Sequence, residues 1–410
     1  MVFYEGHLPA FGFNTLVRKT LGEPGIDPAL ELLFARGIDP DERAAGANPG
    51  AAGGPGVDVP RWPEPAAVER FAAEADERVE AALTRLGLDD PNADPGALAP
   101  PVREAVFTIL EHEAMHQETL MYMWHRVPLS EKRRPPNYAP RVGSERPRAP
   151  DFVEVPGGMV TLGATRRACF GWDNELPSLA VRVQRFAIDR GNVTNAAYLE
   201  FVEGGGYRDS RWWRPEDWEW IRTERIEHPC FWERESGRWH WRGMFDRLLL
   251  PLSWPVYVSL AEATAFAAWK GGRLPTEAEY HRAAFGSHEG ERPYPWGHEP
   301  PDARFGVFDW TSWDPEPVGD HPRGASAWGV EDLVGNGWEW TSSAFGPFPG
   351  FQPMASYPKY SADFFDGNHF VIKGASPVTD RTLIRASFRN WFRARYPYVY
   401  ATFRCVTPAA

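Results

Sequence analysis

Two kinds of patterning divide the chain. From Ala66 to Leu86, the apolar residues Val68, Phe71, Ala75, Val79 and Leu83 recur at steps of three and four, which predicts an amphipathic helix. Pro65 stands just ahead of it, where proline is tolerated. A second helix is predicted from about Pro101 to Val127, with Val102, Val106, Ile109 and Leu110 on one side. Tyr4–Phe11 opens an apolar first helix, and together these segments read as a helical bundle. The Ala/Gly/Pro stretch between Arg43 and Pro60 cannot build a core and reads as a flexible loop.

After a proline- and arginine-rich stretch, Arg133–Pro150, the pattern changes. Short strand-like pieces (Phe152–Val155, Ala180–Ile188, His369–Lys373) lie between long loops rich in Gly, Pro and Trp. One clear helix, Leu260–Lys270, has Ser259 as its N-cap and Gly271-Gly272 to close it. No internal repeat of fixed period is evident. The expected organisation is a helical domain at 1–135, a linker at 136–150 and a second domain at 151–410. Because the second domain is poor in regular elements, buried aromatics and side-chain hydrogen bonds must hold it.

Composition narrows the function. The chain has 410 residues, 44 Lys and Arg against 56 Asp and Glu, and a net charge of −12. An acidic chain without a basic run is a poor nucleic-acid binder. No apolar stretch approaches the roughly 18 residues of a membrane span. The start, Met1-Val2-Phe3-Tyr4-Glu5-Gly6-His7, lacks the order of a signal peptide. Cys169, Cys230 and Cys405 form neither a CxxC nor a disulfide framework, so the expected location is the reducing cytoplasm. Aromatic residues reach 14%, including 19 Trp, which is the unusual quantity.

The sharpest chemical signal is His112-Glu113-Ala114-Met115-His116-Gln117-Glu118. On a helix, positions i and i+4 share a face, so both imidazoles can bind one metal. The text fits HExxH, and in a zinc-protease reading Glu113 would be the general base. Against both stands the plainer reading of two hydrogen-bonded helix histidines. Among the other histidines, His7 on the first helix is the candidate third ligand. Three neutral imidazoles with open positions suit Fe(II), Zn or Cu, and spacing does not choose among them.

Joined to that helix is a series of ordered motifs. They are Val155-Pro156-Gly157-Gly158, Phe170-Gly171-Trp172-Asp173-Asn174-Glu175, Val193-Thr194-Asn195, Arg273-Leu274-Pro275-Thr276-Glu277-Ala278-Glu279-Tyr280, Gly335-Asn336-Gly337-Trp338-Glu339-Trp340-Thr341 and Ser387-Phe388-Arg389-Asn390-Trp391. With Gly6-His7 and HExxHQE, they resemble the ergothioneine-pathway sulfoxide synthases along nearly the whole chain. The resemblance implies an α+β protein. A DinB-like helical bundle would precede a C-type-lectin-like domain of the formylglycine-generating-enzyme (sulfatase-modifying-factor) type with few regular elements.

It further implies a non-haem Fe(II) held by His7, His112 and His116, with Glu113 no catalytic base. Such enzymes use O2 to join the imidazole C2 of hercynine (N-trimethylhistidine) to a sulfur donor. Tyr357-Pro358-Lys359-Tyr360-Ser361 matches the family's Tyr-x-x-Tyr-Ser, which implies Tyr357 as a proton donor near the iron and Tyr360 as a hercynine contact. Asn390-Trp391 matches a second hercynine-contacting pair. An aromatic-rich cavity suits a trimethylammonium group. Without the family, the two tyrosines and Trp391 read as buried core rings and Asn390 as part of a structural turn.

Departures from the family cluster at the donor. Where relatives taking cysteine or γ-glutamylcysteine carry Asp and, four residues later, Arg, this chain has Phe392 and Tyr396. Met115 stands where Gln is common, and Gly374-Ala375-Ser376-Pro377 replaces Gly-Gly-Ser-Trp. The loop expected to hold a substrate arginine is replaced by the Ala/Gly stretch and Pro60-Arg61-Trp62-Pro63. A zwitterion without partners is costly to bury, whereas rings suit the C–H face of a sugar. The expected donor is therefore a selenosugar, as in the selenoneine-forming branch of the family. Donor-site contacts are expected from Phe392, Tyr396 and Met115.

Two rivals remain. In one, the chain is a sulfoxide synthase, either for cysteine or γ-glutamylcysteine with the charge moved to arginines such as Arg393 and Arg395, or for a thiosugar, which a neutral pocket also suits. In the other, the chain is a lectin-like binding module without turnover. Formylglycine generation needs a cysteine pair, and the three cysteines here are far apart. Arg273–Tyr280 and Gly335–Thr341 read as scaffolding. Asp173, Asn174 and Glu175 read as a loop hydrogen-bond network rather than a calcium site.

Overall fold

The computed structural model describes residues 2–35, 62–90, 92–143, 151–165 and 170–408. The Arg43–Pro60 stretch, Arg61, Cys169 and residues 144–150 lie outside the described residues. The chain divides into two compact units, one of residues 1–113 with 355–357, the other of residues 114–354 with 358–410.

The first unit is helical. Helix α1 (Val2–Gly12) runs into a π-helical stretch, Phe13–Thr20, and is followed by α2 (Pro28–Leu33), α3 (Pro65–Arg85) and the start of α4 (Pro100–Arg126). Val68, Phe71 and Ala75 are buried along α3, as their spacing predicts, with Phe71 and Val68 packed on Ala10 and Phe34. Ala75, Ala82 and Ala105 let the helices approach closely around Phe13, Leu16 and Val17. On α4, Val106 joins this core, but Leu110 is 48% exposed, contrary to the sequence reading. It follows Ile109 by 100° around the axis and so turns off the apolar stripe.

The second unit is built from short sheets. Strand β1 (Phe152–Val155) and a strand near the chain's end, β12 (Val406–Pro408), flank β4 (Phe186–Asp189). β2 (Gly158–Leu162) pairs with β3 (Leu179–Val183), and β5 (Trp232–Glu235), β6 (Arg238–Arg242) and β7 (Arg247–Leu249) form a meander. The remaining sheet has the order β10 (Asn390–Arg393), β9 (His369–Ala375), β8 (Gly337–Ala344), β11 (Ala401–Thr402). The strand expected over Ala180–Ile188 is thus two strands in different sheets, with Gln184-Arg185 between them.

Helix α7 (Leu260–Trp269) begins at Ser259, the predicted N-cap, which forms a capping box with Glu262. Three helices were not foreseen: α5 (Asn195–Glu203), α6 (Pro215–Glu224) and α8 (Glu277–Phe285). Each is 9 or 10 residues long, too short for a clear period among so many aromatics. Thr276 and Glu279 do form a capping box at α8, a signal the Arg-Leu-Pro-Thr-Glu-Ala-Glu text contains. Tyr280, Ala283, Ala284 and Phe285 of α8 pack into the core with Val155, Ile188 and Val406.

The Gly335-Asn336-Gly337 motif is structural. All three residues have positive φ (101°, 67° and 151°), which glycine and asparagine tolerate best. Asn336 exchanges hydrogen bonds with the backbone of Glu316, accepting from its N–H at 2.8 Å and donating to its carbonyl at 2.9 Å. The chain between the two predicted domains is pinned rather than loose where it is described. Tyr138 donates to Asp314 at 2.5 Å, and Trp254 donates to the Arg141 carbonyl at 2.7 Å. No helix among the described residues is long and apolar enough to cross a membrane.

Candidate metal centre

Helix α4 carries His112 and His116 one turn apart. One ligand atom from each of His7, His112 and His116 lies within 4.8 Å of the others, and among the described residues no other group of three metal-binding side chains gathers so. His7 is fully buried on α1. Its Nδ1 lies 2.7 Å from the Phe34 carbonyl oxygen. A carbonyl only accepts, so Nδ1 carries the proton and Nε2 is left with its lone pair for a metal. Burial lowers the His7 pKa, opposed in part by that bond, and so keeps the imidazole neutral, the form a metal binds. The donor set, three neutral imidazoles with one oriented by a backbone carbonyl, fits Fe(II), Zn or Cu.

Gly6 has a specific place in this arrangement. A Cβ there would stand 2.5–2.7 Å from three carbons of the buried Phe34 ring, whose own carbonyl orients His7. Gly6→Ala is therefore expected to cost about 1–3 kcal/mol of stability and to loosen the His7 bond. Thermal unfolding and Fe(II) titration read the two effects, and wild-type values of both would refute the steric argument.

Tyr357 stands beside His112, with ring centroids 6.3 Å apart and planes at 72°. Phe11 touches both, 3.4 Å from His112 and 5.0 Å from Tyr357. Serine 356, the preceding residue, donates to Glu104 at 2.9 Å and fixes this segment on α4. The structure thus brings His7, His112, His116 and Tyr357 into one neighbourhood.

In the second unit, Tyr360 donates to the Met115 sulfur at 3.3 Å, stacks on Trp172 at 3.9 Å and meets Trp391 edge-on at 5.2 Å. Trp391 in turn stacks on Phe345 at 4.2 Å. Asn390 accepts from the Trp391 N–H at 2.8 Å. Successive side chains of a strand alternate, so Phe392 points away from Trp391. It stacks on Tyr396 at 5.2 Å and 13° and meets Tyr122 at 6.0 Å. Trp391 with Tyr360 and Phe345, and Phe392 with Tyr396 and Tyr122, therefore form two separate aromatic clusters, and Met115, expected at the donor, lies against the first.

Glu118 ends the HExxHQE text, and its carboxylate is buried within the second unit. It accepts from Tyr122 (2.6 Å), Trp338 (2.8 Å), Ser376 (2.5 Å) and Thr379 (2.7 Å). Such a carboxylate fixes the turn that carries His116. His125, further along α4, is a structural contrast. Its Nε2 donates to the Arg242 carbonyl at 2.8 Å, Nδ1 accepts from the Tyr400 hydroxyl at 2.8 Å, and burial lowers its pKa to about 3. The Asp173–Glu175 turn is a hydrogen-bond network. Asp173 and Asn174 both bond Ser361, and Glu175 accepts from Ser387 and Arg385. Phe3, Phe11 and the Phe34 carbonyl were not foreseen. The step of four joining Phe3, His7 and Phe11 hints at the two rings and not at the carbonyl.

The Sulfatase-modifying factor enzyme 1-like domain family matches residues 139–409. A protein of Mycolicibacterium thermoresistibile described as a hercynine oxygenase is 37% identical over 384 residues, 90% of this chain and 78% of that one. A hercynine oxygenase of Mycobacterium tuberculosis is 41% identical over 57% of this chain and 55% of its own length. Ergothioneine biosynthesis protein 1 of Neurospora crassa is 28% identical over 99% of this chain and 53% of its own. The chain therefore spans about half the length of the last two. It belongs to the sulfatase-modifying-factor-like family and, within it, to the ergothioneine-pathway sulfoxide synthases.

Proposed function

We propose that the protein is an O2-dependent non-haem Fe(II) enzyme that joins the imidazole C2 of hercynine to the selenium of a selenosugar. The observation that carries the reading is the His7–His112–His116 cluster with Tyr357 beside His112. The names of the relatives, hercynine oxygenase and ergothioneine biosynthesis protein 1, support hercynine as the acceptor. On this reading the helical part, 1–135, is DinB-like, 136–150 is the connection, and 151–410 is the C-type-lectin-like domain. Cytoplasmic residence suits the two described cysteines, Cys230 and Cys405, both of them free thiols.

Bound iron would supply the one-electron chemistry that lets O2 react with closed-shell partners. In the overall change, the imidazole C–H and the Se–H bonds break and the C–Se bond forms. Selenium is oxidised to the selenoxide, and the four electrons released reduce O2 to that oxygen and one water. The chain's residues bind, orient and move protons. Tyr360, Trp391 and Phe345 supply ring faces for the trimethylammonium group, and Asn390 contacts the same substrate. Tyr357 donates the proton needed as O2 is reduced.

The donor assignment rests on Phe392 and Tyr396. Their stacked rings offer a flat apolar surface and no charge, which suits a sugar and not an amino-acid zwitterion. The rival with relocated charge loses one of its arginines, since Arg395 is paired with Asp217 at 3.0 Å.

The test loads the protein with Fe(II) without oxygen, then adds hercynine, air and equimolar selenosugar, thiosugar, cysteine and γ-glutamylcysteine. Mass spectrometry should find the selenosugar adduct in excess. Tyr357→Phe should slow its formation by about 100-fold or more while iron content holds. An adduct of cysteine or γ-glutamylcysteine alone overturns the donor assignment. Hercynine binding without any adduct would leave a binding module.

A further inference from the structure

Helix α1 presents Phe3, His7 and Phe11 at steps of four, one above another on a single face. Each phenyl ring lies flat on an imidazole. Phe3 stacks on His7 at 5.1 Å and 17°, and Phe11 stacks on His112 at 3.4 Å and 7°. Phe11 also meets His7 edge-on at 6.2 Å and Tyr357 at 5.0 Å and 66°. It is 3% exposed, so the ring has little room to turn. One phenyl ring therefore touches two of the three clustered imidazoles and the tyrosine beside them.

Electrostatics gives this contact a direction. Two neutral rings prefer offset or edge-to-face arrangements to a close sandwich. An imidazole that donates its lone pair to a cation is electron-poor, and the negative face of a phenyl ring attracts it as it attracts a cation. A flat Phe11–His112 stack thus favours the metal-bound imidazole over the empty one. It also fixes the ring plane, and hence the direction of the ligating lone pair.

We propose that Phe11 is a positioning residue that sets the plane of the His112 imidazole, strengthens metal binding there, and holds Tyr357 at its distance from that ligand. The inference rests on the metal reading above and adds a residue that touches no metal itself.

Anaerobic titration with Co(II), whose visible bands report ligand geometry, tests it on the full chain. Wild type, Phe11→Leu and Phe11→Tyr are compared, with thermal unfolding of each metal-free protein alongside. Phe11→Leu fills similar space without the flat ring, and its Co(II) affinity should fall about 10-fold or more, with shifted bands even at saturation. Phe11→Tyr restores the ring and should recover both. A packing role alone would lower the unfolding temperature and leave the saturated spectrum unchanged, and that result overturns the proposal. Equal affinity and bands in wild type and Phe11→Leu overturn it too. Should the leucine variant not fold, Phe11→Ile carries the same readouts. A wild type that binds no Co(II) removes the metal reading and this inference with it, whereas wild-type binding with an unaffected leucine variant removes the inference alone.

Discussion

Replacing His112 by alanine is expected to lower iron affinity by at least about 100-fold and to abolish turnover. Loss of an outer-shell partner alone typically costs 10–100-fold, and this change removes a ligand. The two remaining imidazoles, His7 and His116, lie on different helices. With the third ligand gone, each is easily displaced by water. The substitution also leaves a void against Phe11, because His112 is 4% exposed and stacked on that ring at 3.4 Å. A stability loss of about 2–4 kcal/mol should therefore accompany the loss of metal. His125→Gln separates the two effects. This histidine sits on the same helix but is occupied by Tyr400 and the Arg242 carbonyl. Its variant should unfold at lower temperature while keeping the iron stoichiometry of wild type. Iron per chain and unfolding temperature, measured on both variants, decide the matter. A His112→Ala protein that keeps full iron would refute the site.

The legible part of this site is the part carried by local periodicity. His112 and His116 could be paired from the sequence because a helix sets i and i+4 on one face. The first helix could be found for the same reason, and His7 on it is the fully buried histidine of α1. What orients His7 was hidden, since the Phe34 carbonyl is 27 residues away and a backbone atom carries no sequence signature. Glu118 shows the limit equally. Its motif was visible, but its hydroxyl and indole partners on Trp338, Ser376 and Thr379 lie 220, 258 and 261 residues on. Trp391 and Phe392 are adjacent in text and diverge in space, because a strand alternates its side chains.

The fold divides in the same way. Long helices with clean periods were readable, as were strands such as Phe152–Val155, whose bounds agree with the sequence reading. The second unit has short elements, and pairing between distant letters holds it. Six tryptophans among its largest side chains are fully buried (Trp172, Trp232, Trp241, Trp254, Trp338, Trp340). Their contacts follow from tertiary placement rather than from any local period. Three buried or partly buried ion pairs do the same work for charge: Glu175–Arg385, Glu277–Arg389 and Glu339–Arg404. Glu277 and Glu339 belong to the motifs that read as scaffolding, Glu175 to the turn that read as a hydrogen-bond network, and each arginine lies far from its partner in the chain.

The last of these pairs carries the largest expected effect on stability. Arg404 and Glu339 have fully buried side chains and meet through two bonds of 2.6 Å. The arginine also donates to the carbonyls of Asp189, Arg190 and Glu331, which lie on two different stretches of chain around it. Arg404→Met leaves the Glu339 carboxylate in the core without its cation, and the expected loss is about 3–5 kcal/mol. Adding Glu339→Leu removes the stranded charge and should recover part of that loss, though not all, because the three carbonyls still lack their donor. Urea unfolding of the single and double variants measures both steps. A double variant less stable than Arg404→Met would show that the stranded charge is not the source of the cost. A single variant that loses under about 1 kcal/mol would show that water reaches Glu339 once the guanidinium is gone. The recovery thus distinguishes charge burial from the loss of the arginine's carbonyl bonds, which the free energy of the single variant alone does not.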